Sequence, residues 1–262
     1  MSVATAERMT VGQGSAAREI ALLRRPGANP GLFWLGGFMS NMEGSKAVTL
    51  DALAGEKGLA ATRFDYSGHG ASGGEFRDGT IGRWLEEARA VFDTTAGPQI
   101  VVGSSMGGWL ALLLAEALRG TGRAAGLLLI APAWDMTRVL MRQRMTKKAL
   151  AALQRDGFIT EPSSHDLTYV ITKALIDDGE QYVFADRLVE VGCPVTILQG
   201  IADKEVPWRH AAALVEKLAS DDVVLTLVKD GDHRLSRPED LERIRAALLS
   251  LIADASLLGS PG

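Results

Sequence analysis

IVVGSSMGGW, residues 100–109, is the stretch on which the reading of the whole chain turns. A β-branched run, Ile100-Val101-Val102, stops at two serines set among three glycines, where an ordinary turn would need one glycine. The spacing Gly103-Ser104-Ser105-Met106-Gly107 fits G-x-S-x-G, in which small residues flank a serine on a sharp strand-to-helix turn. The glycines let the backbone fold tightly, and the Ser105 side chain is left projecting from the top of the turn.

Outward from this point, short apolar runs alternate with amphipathic stretches. Strands are predicted at residues 19–23, 32–35, 60–65, 99–103, 126–130, 195–199 and 223–228, each short, β-branched or Leu-rich and bounded by Gly or Pro. Between them, Ile81, Trp84, Leu85, Ala88 and Phe92 share one helical face. The last helix opens with SRPED, where Ser236 and Glu239 have capping-box spacing, and continues as a stripe of Leu241, Ile244, Leu248 and Leu251. Such alternation implies a mostly parallel central sheet with helices on both faces, an α/β fold whose strand C-terminal ends lie along one edge. The alternation lapses over about residues 132–187, which read as two or three helices carrying Trp134, Met136, Met141, Met145, Phe158 and Tyr169. The expectation is a single domain over residues 1–262, with this segment as a small helical cap above the strand ends.

Bulk properties narrow the function. With 262 residues, 47% hydrophobic and 23% charged, the chain has enough apolar material for a sizeable core without a metal or disulfide. The one cysteine, Cys193, reads as a packing residue and favours a reducing compartment. A net charge of −4 with no basic block argues against nucleic acid. No run approaches the roughly 18 apolar residues of a membrane span, so no stable membrane insertion is expected. The N-terminal stretch lacks the apolar core of a secretory signal, and the expected location is cytoplasmic. The sequence carries no signal for an oligomeric state.

A serine hydroxyl is a poor nucleophile at neutral pH. It needs a base within hydrogen-bond reach, and the base needs a carboxylate to hold its tautomer. For a serine on such an elbow the expected chain order is Ser, then Asp or Glu, then His. Of the four histidines, His69 precedes the serine, His165 lies in the cap, and His210 falls in the first turn of a helix introduced by Pro207. His233 follows the last strand and satisfies both order and location. Asp203, in LQGIADKEVP, directly follows the penultimate strand and is the expected acid, with Glu205 as its closest rival. A tetrahedral intermediate also needs backbone N–H donors. Met106, at a helix N-terminus after the serine, offers one. Phe38, in the GGFMSNMEGSKA loop after a strand, is the candidate for the other; a plain turn is the simpler reading of that Gly-Gly pair. DYSGHGASGG (65–74) has neither G-x-G-x-x-G order nor a Walker lysine and reads as a loop at the sheet edge. No H-E-x-x-H or clustered Cys/His pattern appears, so neither metal nor cofactor is expected.

These residues resemble the α/β-hydrolase superfamily across nearly the whole chain. Within it, GGFMSNMEGSKA, RFDYSGHGASGG, GPQIVVGSSMGGWLALLLA, GIADKEVPW and DGDHRLSRPED are similar, in that order, to the branch containing the mitochondrial acyl-glucuronide esterase and palmitoyl-protein thioesterase. The resemblance implies Ser105 as nucleophile, Asp203 as acid, His233 as base and Phe38 with Met106 as oxyanion hole. The chain departs from many relatives in having Gly36-Gly37 where they have His-Gly. It shows no clear mitochondrial presequence, and its Ala/Gly/Arg-rich composition resembles that of bacterial proteins.

The reading is a serine esterase or thioesterase that needs no cofactor and acts on a small-molecule or acylated substrate, through an acyl-enzyme. An acyl-protein thioesterase and an acyl-glucuronide esterase are the specific forms. Trp134 and Met141 are expected to meet an apolar acyl group. Arg142, with Arg138 and Arg144, is expected to meet an acidic leaving group; a helix core and a solvated face are the plainer alternatives. An acyltransferase would use the same triad, and a non-catalytic binding module on this fold would usually lack one of its members.

Overall fold

The apolar runs become strands of one sheet in the computed structural model, which describes residues 4–162, 168–218 and 222–258. Strands β1 (Thr5–Val11) and β2 (Arg18–Arg25) form an N-terminal hairpin. They are followed by β3 (Ala28–Leu35), α1 (Ser45–Lys57), β4 (Leu59–Phe64), α2 (Ile81–Asp93), β5 (Gln99–Ser104), α3 (Met106–Ala117) and β6 (Ala124–Ile130). The chain then leaves the sheet through α4 (Lys147–Asp156), β7 (Phe158–Pro162), β8 (Thr168–Thr172) and α5 (Lys173–Gly179). It returns with β9 (Val195–Gly200), α6 (Trp208–Lys217), β10 (Val223–Val228) and α7 (Pro238–Leu258). The sheet order is β1-β2-β4-β3-β5-β6-β9-β10, antiparallel at β1/β2 and β2/β4 and parallel from β4 to β10. No helix among the described residues is long and apolar enough to cross a membrane.

Alternation along the central strands divides the core in two. Phe33, Leu35, Val101, Leu127, Leu129 and Ile197 pack with α2, α3 and α6, whereas Leu32, Ile100, Val102, Leu128, Ile130 and Leu198 pack with α1 and α7. Both faces are covered, so the strands read as continuous apolar runs. Helix α3, directly after the serine elbow, buries ten of its twelve residues, from Met106 to Ala115. The nucleophile position therefore stands on the most deeply packed strand and helix of the molecule.

Three sequence expectations need correction. Strand β1 was not anticipated, because an edge strand with the pattern exposed nearly throughout has no apolar alternation to detect. The start of α7 is capped differently. Pro238 occupies the first helical position, which makes Arg237 the cap. The Asp240 carboxylate accepts the Arg237 N–H at 3.3 Å, while Ser236 Oγ donates to Arg234 O at 3.0 Å. The segment expected to be a helical cap contains helices α4 and α5 but also an antiparallel hairpin, β7/β8, that carries Phe158 and Tyr169. Gly157, left-handed at φ 78°, ends α4, and the β-branched runs that follow favour extended pairing. Met145, Leu153, Ile159, Ile171 and Ile176 give this segment a small core of its own. Asp135 joins its two ends by accepting the Phe184 N–H at 2.8 Å and the Ala185 N–H at 3.2 Å, and Asp178 ties it to α2 by accepting the Gly82 N–H at 2.8 Å.

Candidate active site

Strand β5 ends at Ser104, and Ser105 turns the chain into α3 with φ 55° and ψ −119°, a conformation rarely adopted by a residue with a side chain. The neighbouring glycines explain how this turn fits. A Cβ on Gly107 would lie 2.1 Å from the Leu35 carbonyl oxygen, and one on Gly103 would lie 2.3 Å from that of Gly107. The elbow is pinned by the Ser105 N–H donating to Ile130 O at 2.9 Å and by Ser105 O accepting from Ala133 at 3.0 Å and Gly108 at 2.9 Å.

The structure brings together three residues far apart in sequence. Ser105 Oγ lies 3.0 Å from His233 Nε2, and His233 Nδ1 lies 2.8 Å from Asp203 Oδ2. Asp203 enters from the turn after β9 and His233 from the loop between β10 and α7, both at strand C-terminal ends. The Asp203 side chain is fully buried, and its other oxygen, Oδ1, accepts the Glu205 and Val206 N–H groups at 2.9 and 2.8 Å. A carboxylate so held accepts from Nδ1–H, which leaves the Nε2 lone pair facing the serine hydroxyl. Glu205, the rival acid, has its Oε2 3.5 Å from Nε2, on the opposite side of the ring from Asp203.

Sequence reasoning missed Gln199, the penultimate residue of β9. Its Nε2 lies 3.1 Å from Asp203 Oδ2 and 3.0 Å from the carbonyls of Gly200 and Val206, so it braces the acid from below. One polar residue at the end of the apolar run VTILQG was the available signal.

The loop after β3 passes beside the serine. A Cβ on Gly37 would sit 3.3 Å from Ser105 Cβ and 3.3 Å from Ser104 O. Among the described residues, neither the Phe38 nor the Met106 N–H donates to another backbone carbonyl or side chain. The Phe38 ring packs against Phe76, Trp84 and Tyr169 at centroid distances of 4.9, 6.0 and 5.6 Å.

Ser105 and His233 open onto a cavity of about 660 Å³. One wall is apolar, formed by Phe38 with Met136, Leu140, Met141, Tyr169 and Ile171 of the cap segment. The polar part of the lining comprises Asn41, Ser45, Lys46, Lys204, Glu205 and Arg234, with Arg144 and Glu161 from the cap segment. Met141 therefore faces the cavity. Trp134 and Arg142 do not, which corrects their expected place. Trp134 is buried outside it, stacked on His210 at 4.6 Å, with its Nε1–H donating to His210 O at 2.9 Å. Arg142 is half exposed and approaches Glu180 at 4.0 Å, and Arg138 pairs with the same carboxylate at 2.6 Å. Arg144 alone of the three arginines lines the cavity. His165 lies outside the described residues. Among the described residues, no group of three or more His, Cys, Asp or Glu side chains is placed to hold a metal ion.

Two further histidines are buried neutral. His69 and His210 are each pushed down to about 4 from the usual 6.5, chiefly by burial. The unfolded chain binds more protons than the native one between those values. Stability is therefore fully present above pH 6.5 and is lost as pH falls towards 4, by up to about 1.4 kcal/mol per pH unit for each histidine. Denaturant unfolding at pH 7 and pH 5 checks this; equal stabilities would show that neither ring is buried neutral in solution.

With this geometry in place, comparison with known proteins adds the following. A model of the alpha/beta hydrolase family matches residues 26–244. The mouse protein named palmitoyl-protein thioesterase ABHD10, mitochondrial, is 33% identical over 236 residues, covering 89% of this chain and 78% of that protein. Among solved structures, one from Agrobacterium vitis S4 is similar with a TM-score of 0.92 and 50% identity, covering 95% of this chain and 99% of that one. Mouse alpha/beta hydrolase domain-containing protein 10 is similar with a TM-score of 0.85 and 30% identity, covering 94% and 98%.

Proposed function

The chain belongs to the alpha/beta hydrolase family and is an enzyme of that family, and from this we propose that it is a serine hydrolase that cleaves carboxylic esters or thioesters through an acyl-enzyme. One observation carries the reading: the Ser105–His233–Asp203 chain of contacts, at 3.0 and 2.8 Å, opens onto a cavity with an apolar wall.

In the first half-reaction Ser105 Oγ attacks the carbonyl carbon while His233 Nε2 takes the hydroxyl proton. Asp203 holds the ring and offsets the imidazolium charge. The oxyanion lies against the N–H groups of Phe38 and Met106, at the N-terminus of α3, where unpaired amides and the helix dipole favour negative charge. Collapse breaks the bond to the alcohol or thiol, which leaves with the proton from Nε2. Water then enters and gives a proton to Nε2; its oxygen attacks the acyl carbon, and the acid departs as Ser105 recovers its proton. No cofactor takes part.

The acyl chain lies along Phe38, Leu140, Met141 and Ile171, whose flexible methionine suits a variable chain. The leaving group lies on the wall with Lys46, Lys204 and Arg234, which suits a peptide or an acidic group. The named activity of the mouse relative supports an acyl-protein thioesterase; the basic wall supports an acyl-glucuronide esterase. The single, buried Cys193 fits a reducing compartment, and the cytoplasm is the location that accompanies this reading.

The test is hydrolysis of p-nitrophenyl esters and matched acyl thioesters from acetyl to palmitoyl. kcat/KM is expected to rise by up to about fourfold per methylene until the apolar wall is filled. Turnover confined to acetyl or to acidic esters would remove the apolar acyl site, and release of acyl product only onto an added alcohol or thiol would make the enzyme a transferase.

A further inference from the structure

The loop after β4, DYSGHGASGG, is not used by the chemistry above, yet His69 within it touches the loop that carries Phe38. The Met39 N–H donates to His69 Nε2 at 3.1 Å, and His69 Nδ1–H donates to Ser67 O at 3.2 Å. The ring is boxed by Tyr66, Phe76 and Trp84 at centroid distances of 5.7, 5.1 and 5.2 Å. Phe76 and Trp84 are also two of the three rings packed on the Phe38 side chain.

Backbone geometry gives this contact its meaning. A peptide unit is planar, so fixing one of its polar groups fixes the other. The Gly37 carbonyl and the Phe38 N–H share one plane. The Gly37 oxygen accepts from both the Ser40 N–H, at 3.1 Å, and Ser40 Oγ, at 2.8 Å. The next plane, between Phe38 and Met39, is held by the bond from the Met39 N–H to His69. Both planes flanking the Phe38 Cα are thus pinned. Met39 itself is left-handed, at φ 57°, so the chain turns sharply directly after the plane that His69 holds. Asp65 adds a more distant anchor by accepting the Met42 N–H at 2.7 Å.

We propose that His69 is a positioning residue that aims the Phe38 N–H at the oxyanion by accepting the Met39 N–H. The inference rests on the reading of Phe38 as an oxyanion donor. A histidine suits the task because its ring fills an aromatic box while one nitrogen accepts. Burial keeps it neutral at pH 7, and Ser67 O selects the tautomer with Nε2 unprotonated.

The experiment compares His69→Leu, which removes the acceptor, with His69→Gln, whose Oε1 reaches about as far as Nε2, and His69→Asn, whose oxygen falls short. Loss of one oxyanion donor costs on the order of 10²- to 10³-fold, and misdirection of one costs less. The expected result for His69→Leu is a kcat lower by about 10- to 100-fold with KM within about threefold of wild type. An acyl trifluoromethyl ketone, which forms a tetrahedral oxyanion on Ser105, should weaken by the same factor, while the affinity for the carboxylic acid product stays put. His69→Gln should recover most of kcat. If His69→Leu does not fold, the ratio of kcat between His69→Gln and His69→Asn decides; equal values overturn the proposal. It is also overturned if kcat falls without weakening of the ketone, since that pattern marks a purely structural role. A fluorophosphonate that fails to label Ser105 in the wild-type enzyme would instead sink the serine-hydrolase reading, and His69's role with it.

Discussion

Replacing Ser105 by alanine is expected to lower turnover of every ester and thioester by on the order of 10⁴- to 10⁶-fold and to leave the fold intact. Alanine removes the hydroxyl that meets His233 Nε2 while leaving the Phe38 and Met106 amides in position. The residue of activity measures what those donors and binding achieve without a nucleophile. Ser105 Oγ is bonded to His233 Nε2, and His233 keeps its bond to Asp203, so no network collapses when the hydroxyl goes. The backbone at φ 55° and ψ −119° is as awkward for alanine as for serine, so the unfolding midpoint should stay close to that of wild type. Ser105→Gly, which relaxes that conformation, should raise the midpoint although it is equally inactive. Steady-state rates on the best acyl substrate, set beside thermal unfolding of both variants, check all three statements. Full activity in Ser105→Ala would dismiss the acyl-enzyme altogether.

How much of this was legible in the sequence varied with the kind of signal. Ser105, Asp203 and His233 each follow a strand, and in a parallel sheet strand ends collect on one edge; local pattern and chain order were therefore enough to nominate them. Trp134 and Arg142 were legible only as types. Asp135 at φ 50° binds the amides of Phe184 and Ala185, and beside it Trp134 lies on His210 rather than at the cavity, a choice made by tertiary contacts that no periodicity encodes. The β7/β8 hairpin escaped notice because FITEP and TYVIT have neither the continuous apolar run of the central strands nor a strict apolar–polar alternation. Gln199 and His69 carry no motif that speaks of positioning. Gln199 meets the Asp203 carboxylate four residues on, and His69 meets the Met39 N–H thirty residues away; both contacts are made by the fold and not by any local pattern.

Asp203→Asn should lower kcat by on the order of 10⁴-fold, and the reason lies in how the carboxylate is held. Oδ1 receives two backbone N–H groups, from Glu205 and Val206, so an amide placed there must present its oxygen at that position. The amide NH₂ is then forced to the position of Oδ2, against His233 Nδ1. Only a ring with Nδ1 unprotonated can accept from it, and in that tautomer Nε2 carries the proton and cannot take one from Ser105. The Gln199 amide, which donates towards Oδ2, is left facing another donor, so the bracing of the acid fails along with the tautomer. Glu205→Gln provides the contrast. Glu205 lies on the Nε2 side at 3.5 Å and does not hold Nδ1, so kcat should change by less than about tenfold. Binding of the acid product should persist in Asp203→Asn, because the cavity walls are untouched. Comparable losses in the two variants would mean that both carboxylates act on the ring, and a larger loss in Glu205→Gln would transfer the acid's role from Asp203 to Glu205.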